Sequence, residues 1–166
     1  METIKGLKRS DYCGTLALKD EGRKVTLFGW AQRQRDLGNL IFIDLRDKTG
    51  IVQISFNDKT DRAIFEKAQS VRSEYVLALK GIVKERESKN FDIPTGEIEV
   101  EVTELRIISK AQTPPFEIAK ADEVGDETTL KYRYLNLRNE KLTKNIIMRH
   151  KIAQIAREYF YANDFI

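Results

Sequence analysis

Between Phe28 and Phe56 the chain reads FGWAQRQRDLGNLIFIDLRDKTGIVQISF, a stretch dense in Arg, Phe and Gln. A flat aromatic such as Phe42 can stack on an unpaired base, worth ~1–3 kcal/mol per base by alanine substitution. The amide of Gln53 carries both donor and acceptor and can read a Watson–Crick edge. Arg33 and Arg35, with Arg46 nearby, can reach phosphates or bases. Farther on, EIEVEV presents Glu97, Glu99 and Glu101 at alternate positions. A carboxylate on a nucleic-acid surface repels phosphate, so Glu99 can serve there only by accepting from a base amino or imino group. Each residue also has a plainer reading. Phe42 can pack under a loop, Gln53 can be a solvated strand residue, and charge runs are commonly solvated faces.

Other chemistry finds little support. His150 is the only histidine and has no nucleophile near it in sequence. Cys13 is the only cysteine, which excludes an internal disulfide and offers no zinc spacing. There is no Ser/His/Asp set, no glycine-rich phosphate loop and no paired-carboxylate signature, so no catalytic residue and no metal site is expected in these 166 residues. Net charge is only +3 with 33% charged residues, so a nucleic-acid partner must be argued from local placement. The opening METIKGLKRSDY lacks the apolar core of a signal peptide. No run approaches the ~18 apolar residues of a membrane span. The expectation is a soluble, cytoplasmic protein without a membrane partner.

The elements that must position these side chains are mostly strands. Lys24 to Gln34 alternates, with Val25, Leu27 and Ala31 on one side; Gly29 within it suggests a bulge or a tight bend. In Leu40 to Asp47, Ile41, Ile43 and Leu45 make an apolar face. Phe42 then falls on the polar face with Asp44 and Arg46, where burial gives it no reason to be. After the Lys48-Thr49-Gly50 turn, Val52, Ile54 and Phe56 point to the core while Gln53 and Ser55 point outward, so Phe42 and Gln53 are expected to share one exposed surface. Asp61 to Arg72 reads as a helix, Tyr75 to Val83 as a fourth strand and Glu97 onward as a fifth. Three strands, a helix and two strands predict a mainly β protein: a five-stranded OB-fold Greek-key barrel with one helix between strands 3 and 4. Other small β-barrels share the pattern, though the outward aromatic favours the OB-fold. Beyond it, Pro114-Pro115 and an acidic run read as a linker or hinge, followed by C-terminal helices. Met148, Ile152, Ile155 and Tyr159 form a helical stripe, and two helices cannot enclose a core alone, so the tail reads as the start of a second domain. Phe165-Ile166 would suit the start of a further strand.

The segments Asp11-Tyr12-Cys13-Gly14, Phe28-Gly29-Trp30, Arg35-Asp36-Leu37-Gly38, LIFIDLRDKTGIVQ at 40–53 and LKYRYLNLR at 130–138 resemble, in one order and spacing, the N-terminal part of bacterial-type aspartyl-tRNA synthetases. The resemblance covers the chain from about residue 10. It implies an anticodon-binding OB-fold domain over 1–110, a hinge over 111–140, and the start of a class II catalytic domain over 141–166. It implies that Phe42 and Gln53 hold the central anticodon uridine, that Arg35, with Arg33 beside it, contacts the anticodon, and that Glu99 reads the first anticodon base, guanine. The implied partner is tRNA-Asp. The full-length enzyme would be a homodimeric aspartate–tRNA ligase using ATP, magnesium and aspartate, while these residues alone would bind no cofactor and be catalytically inactive. Ser55 stands where many members carry an aromatic, and Asn136 and Asn139-Glu140 also depart from the usual wording. The alternative is a stand-alone OB-fold module that binds single-stranded nucleic acid without ligase activity.

Overall fold

The computed structural model describes residues 2–165 and divides the chain into two compact units, Met1–Thr113 and Pro114–Ile166. In the first unit five strands close a barrel in the order β1-β2-β3-β5-β4. They are β1 (Lys24–Asp36), β2 (Ile41–Arg46), β3 (Ile51–Phe56), β4 (Val76–Glu85) and β5 (Ile98–Ser109). The helix α1 (Arg62–Gln69) lies between β3 and β4. Closure comes from a short parallel pairing of β3 with β5, while every other ladder is antiparallel. A closed barrel leaves no strand edge open for pairing.

Alternation fixes the core. Val25, Leu27, Ala31, Ile41, Ile43, Leu45, Val52, Ile54, Phe56, Leu77, Leu79, Val83, Ile98 and Val100 are all buried inside the barrel cluster. Helix α1 starts where Asp61 caps it, accepting from the N–H groups of Ala63 at 2.9 Å and Ile64 at 3.3 Å. It presses Ala68, and Val71 just past its end, into the same core. Cys13 is buried there as well; burial pushes its thiol well above the usual range, with the Asp47 carboxylate adding to the effect.

The bulge expected at Gly29 falls instead at Gln32, where the β1–β2 register slips between Ala31 and Arg33. Gly29 answers a different demand. A Cβ there would sit 2.5 Å from the Arg46 carbonyl oxygen, so the backbones of β1 and β2 approach too closely for any other residue. The bulge matters more for the surface. Up to Ala31 the odd-numbered positions of β1 face inward. The extra residue reverses the parity, so Arg33 and Arg35 stand opposite Asp44 and Phe42 on the outer face. Gln34 turns instead toward α1 and donates to the Ala68 carbonyl at 2.9 Å.

In the second unit, the stretch read as a linker holds a 3-10 turn at Ile118–Glu123 and two short helices, α2 (Asp126–Lys131) and α3 (Arg133–Asn136). Ile118, Ala121, Thr129, Asn136 and Asn139 are buried, so this stretch packs instead of running free. Asn139 caps the long helix α4 (Glu140–Ala162) by accepting from Lys141 N–H at 3.0 Å, and its amide donates to the Ile118 carbonyl at 3.2 Å. No residue of α4 is buried, and the Met148, Ile152, Ile155, Tyr159 stripe is 59–66% exposed. His150 is exposed on the same helix. Phe165 is not in a strand; its ring meets Phe160 edge-on at 5.9 Å, and Ile166 lies outside the described residues.

Candidate nucleic-acid interface

Two rows of paired residues cross the outer face of the barrel. One runs Arg33, Asp44, Gln53, Glu99, Lys84 over strands β1, β2, β3, β5 and β4. The next runs Arg35, Phe42, Ser55, Glu101. Side chains that are neighbours across strands lie ~5 Å apart at Cβ, close enough for long ones to interlock. All five sequence-predicted residues thus fall on one surface patch, although Arg33 and Glu99 lie 66 positions apart in the chain.

Four of the five are also in direct contact. The Arg35 guanidinium donates to Gln53 Oε1 at 2.8 Å and to Asp44 Oδ1 at 3.3 Å. It also lies 5.6 Å over the Phe42 ring, a cation–π contact. Gln53 Nε2 donates to Glu99 Oε2 at 2.9 Å, and Ser55 Oγ donates to Glu99 Oε1 at 2.8 Å. Arg33 stands apart. It is exposed and enters none of these bonds.

One expectation needs correcting. Gln53 and Ser55 do point to the outer face, but they are only 4% and 2% exposed. β3 lies between β2 and β5, and the longer Arg35 and Glu99 fold across it from either side. Gln53 is therefore a covered residue, with its carbonyl already accepting and one N–H already donating. Its second N–H and the remaining lone pairs of Glu99 are the capacity left for a ligand. Phe42 is half-buried, so part of its ring is available for stacking.

The sequence reading gave no role to Asp44, Ser55 or Glu101. Strand parity places Asp44 on the face it shares with Phe42 but names no partner for it; the structure supplies Arg35. Ser55 counted as a missing aromatic; instead its hydroxyl orients Glu99. Glu101 accepts from Asn57 at 2.9 Å and pairs with Lys84 at 2.7 Å. Lys84, then Asn57, hold the Glu101 carboxyl below the usual carboxylate range.

One atom signals unmet demand. Among the described residues, Arg35 Nε is the buried side-chain nitrogen that lacks any hydrogen-bond partner. A buried donor left unsatisfied costs about 1–3 kcal/mol, so an acceptor reaching it stabilises the bound state by that order. The chemistry of the patch is thus a half-exposed ring for stacking, a guanidinium with a spare donor, and an amide–carboxylate pair with spare capacity.

Comparison with known proteins agrees with this fold. The family model for the OB-fold nucleic acid binding domain matches residues 25–108, and that for class II tRNA synthetases (D, K and N) matches 125–166. The chain is 50% identical to an "Aspartate--tRNA(Asp/Asn) ligase" of Caldanaerobacter subterraneus subsp. tengcongensis and 49% identical to an "Aspartate--tRNA ligase" of Ruminiclostridium cellulolyticum. Both alignments cover 99% of this chain and 28% of the relative, so the chain spans little more than a quarter of their length. Among solved structures, asparaginyl-tRNA synthetase from Pyrococcus horikoshii complexed with asparaginyl-adenylate superposes with TM-score 0.80 at 30% identity, over 95% of this chain and 35% of that one. An aspartyl tRNA synthetase from Entamoeba histolytica gives TM-score 0.86 at 21% identity, over 98% and 39%, a likeness of fold. The chain belongs to the OB-fold nucleic acid binding domain family, in the form that aspartate–tRNA ligases carry joined to a class II synthetase segment.

Proposed function

We propose that this chain is the anticodon-binding portion of an aspartate–tRNA ligase and selects tRNA-Asp through the outer face of its barrel. The proposed domain plan is an anticodon-binding domain over 1–110, a hinge over 111–140 and the start of the class II domain over 141–166. The observation that carries the reading is the contact set Arg35–Gln53–Glu99 with Phe42 beside it. An uracil edge offers acceptor, donor, acceptor; Gln53 can meet the donor with Oε1 and an acceptor with Nε2 while Phe42 stacks on the ring. A guanine edge offers the N1–H and N2–H donors that the Glu99 carboxylate can accept. Arg35 keeps the orphan Nε for a phosphate or carbonyl oxygen, and exposed Arg33 adds a phosphate contact.

The full-length protein would join aspartate to the tRNA in a cytoplasmic, homodimeric enzyme using ATP and magnesium. Among the described residues no group of three or more His, Cys, Asp or Glu could hold a metal ion. Among them, too, no helix is long and apolar enough to cross a membrane. A stand-alone single-strand-binding module accounts less well for the chain, because the relatives align through the class II segment as well as the barrel.

The test is fluorescence anisotropy with a labelled tRNA-Asp anticodon stem-loop and the 166-residue chain. Binding should weaken when the central uridine is replaced, and again with Phe42→Ala or Gln53→Ala. Equal affinity for both stem-loops would overturn the reading.

A further inference from the structure

A second cluster of cations and rings lies on the barrel, outside the patch described above. Arg9 places its guanidinium carbon 4.8 Å from the Tyr12 ring centre and 5.3 Å from that of Phe28. Lys48 places its ammonium 4.5 Å from the same Tyr12 ring. Two cations therefore converge on one phenol. Arg9 and Lys48 are exposed, and among the described residues neither forms an ion pair.

The carboxylates nearest in sequence are already engaged. Asp11 accepts from Arg23 and from Ser10. Asp47 accepts from Cys13 N–H at 2.7 Å and from both the N–H and the hydroxyl of Thr49. These same bonds, with Gly14 N–H donating to Thr49 Oγ1 at 2.9 Å, pin residues 13–14 to the turn between β2 and β3. Arg9 is held in turn by donating to the Phe28 carbonyl at 3.4 Å. The cluster is thus preformed, with two cations that are not ion-paired to a carboxylate among the described residues. Lys48 first, and Arg9 after it, hold the Tyr12 hydroxyl below the usual phenol range, as expected of a hydroxyl set between two cations.

Its position sets its ligand. Phe42, Asp44 and Arg46 follow one another on the outer face of β2, and Lys48 comes next, just past the strand. Six residues of extended chain span ~20 Å, too far for a base held at Phe42 to touch both places. Between them Arg46 is occupied, donating to both oxygens of Glu74 at 2.8 and 3.0 Å and to Gln32 at 3.3 Å. The strip therefore carries exposed cations at its two ends, Arg33 at one and Arg9 and Lys48 at the other.

We infer that Arg9, Tyr12 and Lys48 form a phosphate-binding site for the RNA backbone, engaging nucleotides a few positions from the base bound at Phe42. This rests on the proposed function, since it takes the same RNA as ligand. Two cations flanking a hydroxyl donor match the charge and the acceptors of a phosphodiester, and the contact carries no sequence information. An acidic protein partner is disfavoured by continuity: the site extends the same barrel face along the same strand.

The test measures the salt dependence of stem-loop binding by the 166-residue chain. Losing two phosphate contacts should lower the slope of log K against log salt by about 1.5. Arg9→Gln/Lys48→Gln is expected to show that drop and weaker binding, with the preference for the central uridine unchanged. Arg9→Lys/Lys48→Arg keeps the charges and is expected to keep the slope, which separates charge from packing around Tyr12. Phe42→Ala should weaken binding while leaving the slope near wild type. An unchanged slope in the glutamine variant, with a native circular dichroism spectrum, overturns the phosphate site. So does an equal loss in the charge-retaining variant. Loss of discrimination at the central uridine in the unsubstituted chain would instead count against the anticodon reading, so the two failures are distinguishable.

Discussion

Gln53 has one acceptor oxygen and two N–H donors, and Arg35 and Glu99 already engage one of each kind. Truncating it should therefore have two consequences. Gln53→Ala leaves two charged groups without their bridge, but both reach water, so the barrel should lose only about 1 kcal/mol in a urea melt. Phe42→Ala should leave stability nearer wild type and weaken stem-loop binding by ~1–3 kcal/mol, roughly 5- to 150-fold in Kd. A variant in which Phe42→Ala unfolds the chain but spares the affinity of the folded fraction would assign the ring to packing. Parity made the direction of Phe42 and Gln53 legible in the sequence, because alternation within one strand is local. Whether Gln53 is exposed was not legible. That depends on which long side chains flank it on β1 and β5, and the 3-D pairing of Arg35 and Glu99 across β3 is not written in either segment.

At the scale of elements, the single extra residue at Gln32 is absorbed as a bulge, and Arg33 and Arg35 face outward beyond it. Deleting Gln32 places Arg33 directly after Ala31, so strict alternation keeps Arg33 and Arg35 on the outer face and Gln34 toward α1. The expected outcome is a folded chain that keeps most of its RNA binding, read by calorimetry and anisotropy. Loss of binding in a deletion variant that melts like the parent would show that the bulge itself aims the arginines. No local signal marked this bulge, since Gln lacks the conformational freedom that draws attention to Gly29. Gly29 was legible as special, though for the wrong reason: Gly29→Ala puts a methyl 2.5 Å from the Arg46 carbonyl and should cost ~1–3 kcal/mol as overpacking does. The five strands and α1 were readable because each carries its own periodicity and its own turn or cap. The packed state of residues 118–139 was not, because Asn136 and Asn139 look like loop residues until their burial and the Asn139–Ile118 bond are known.

For the whole molecule, acid should erode stability in a defined window. The carboxyls of Glu101 and Glu104 are held low, by Lys84 and Asn57 and by Lys80 and Arg106 respectively. That of Asp47 is raised by burial but lowered further by Thr49 and Cys13, with a net fall. A group whose folded value lies below its unfolded one binds fewer protons when folded. Its stabilisation is complete above the unfolded value, near 4.5 for Glu and 3.8 for Asp, and is lost as pH falls through the folded value. Denaturant midpoints should therefore be level near neutrality and decline below about pH 4.5, with a shallower decline in Glu101→Gln. The two units should also differ in amide exchange. Barrel amides should open only with global unfolding. Those of α4, a helix of 23 residues with none buried, should exchange far faster, since such a helix alone is marginal in water.

The closure of Gln53 beneath Arg35 and Glu99 also shapes selectivity. On the proposed reading, the protein's own side chains compete with the RNA for the reading amide. A uridine that displaces Arg35 from Gln53 Oε1 replaces one hydrogen bond with another and frees the guanidinium for the backbone. A base with the wrong edge breaks the same bond and returns nothing, so a mismatch bears the loss in full. The built-in competitor lowers affinity for every loop by the same opening cost, and discrimination rests on which base edge restores the broken bond. How firmly the unliganded protein holds itself shut then sets the affinity of the site.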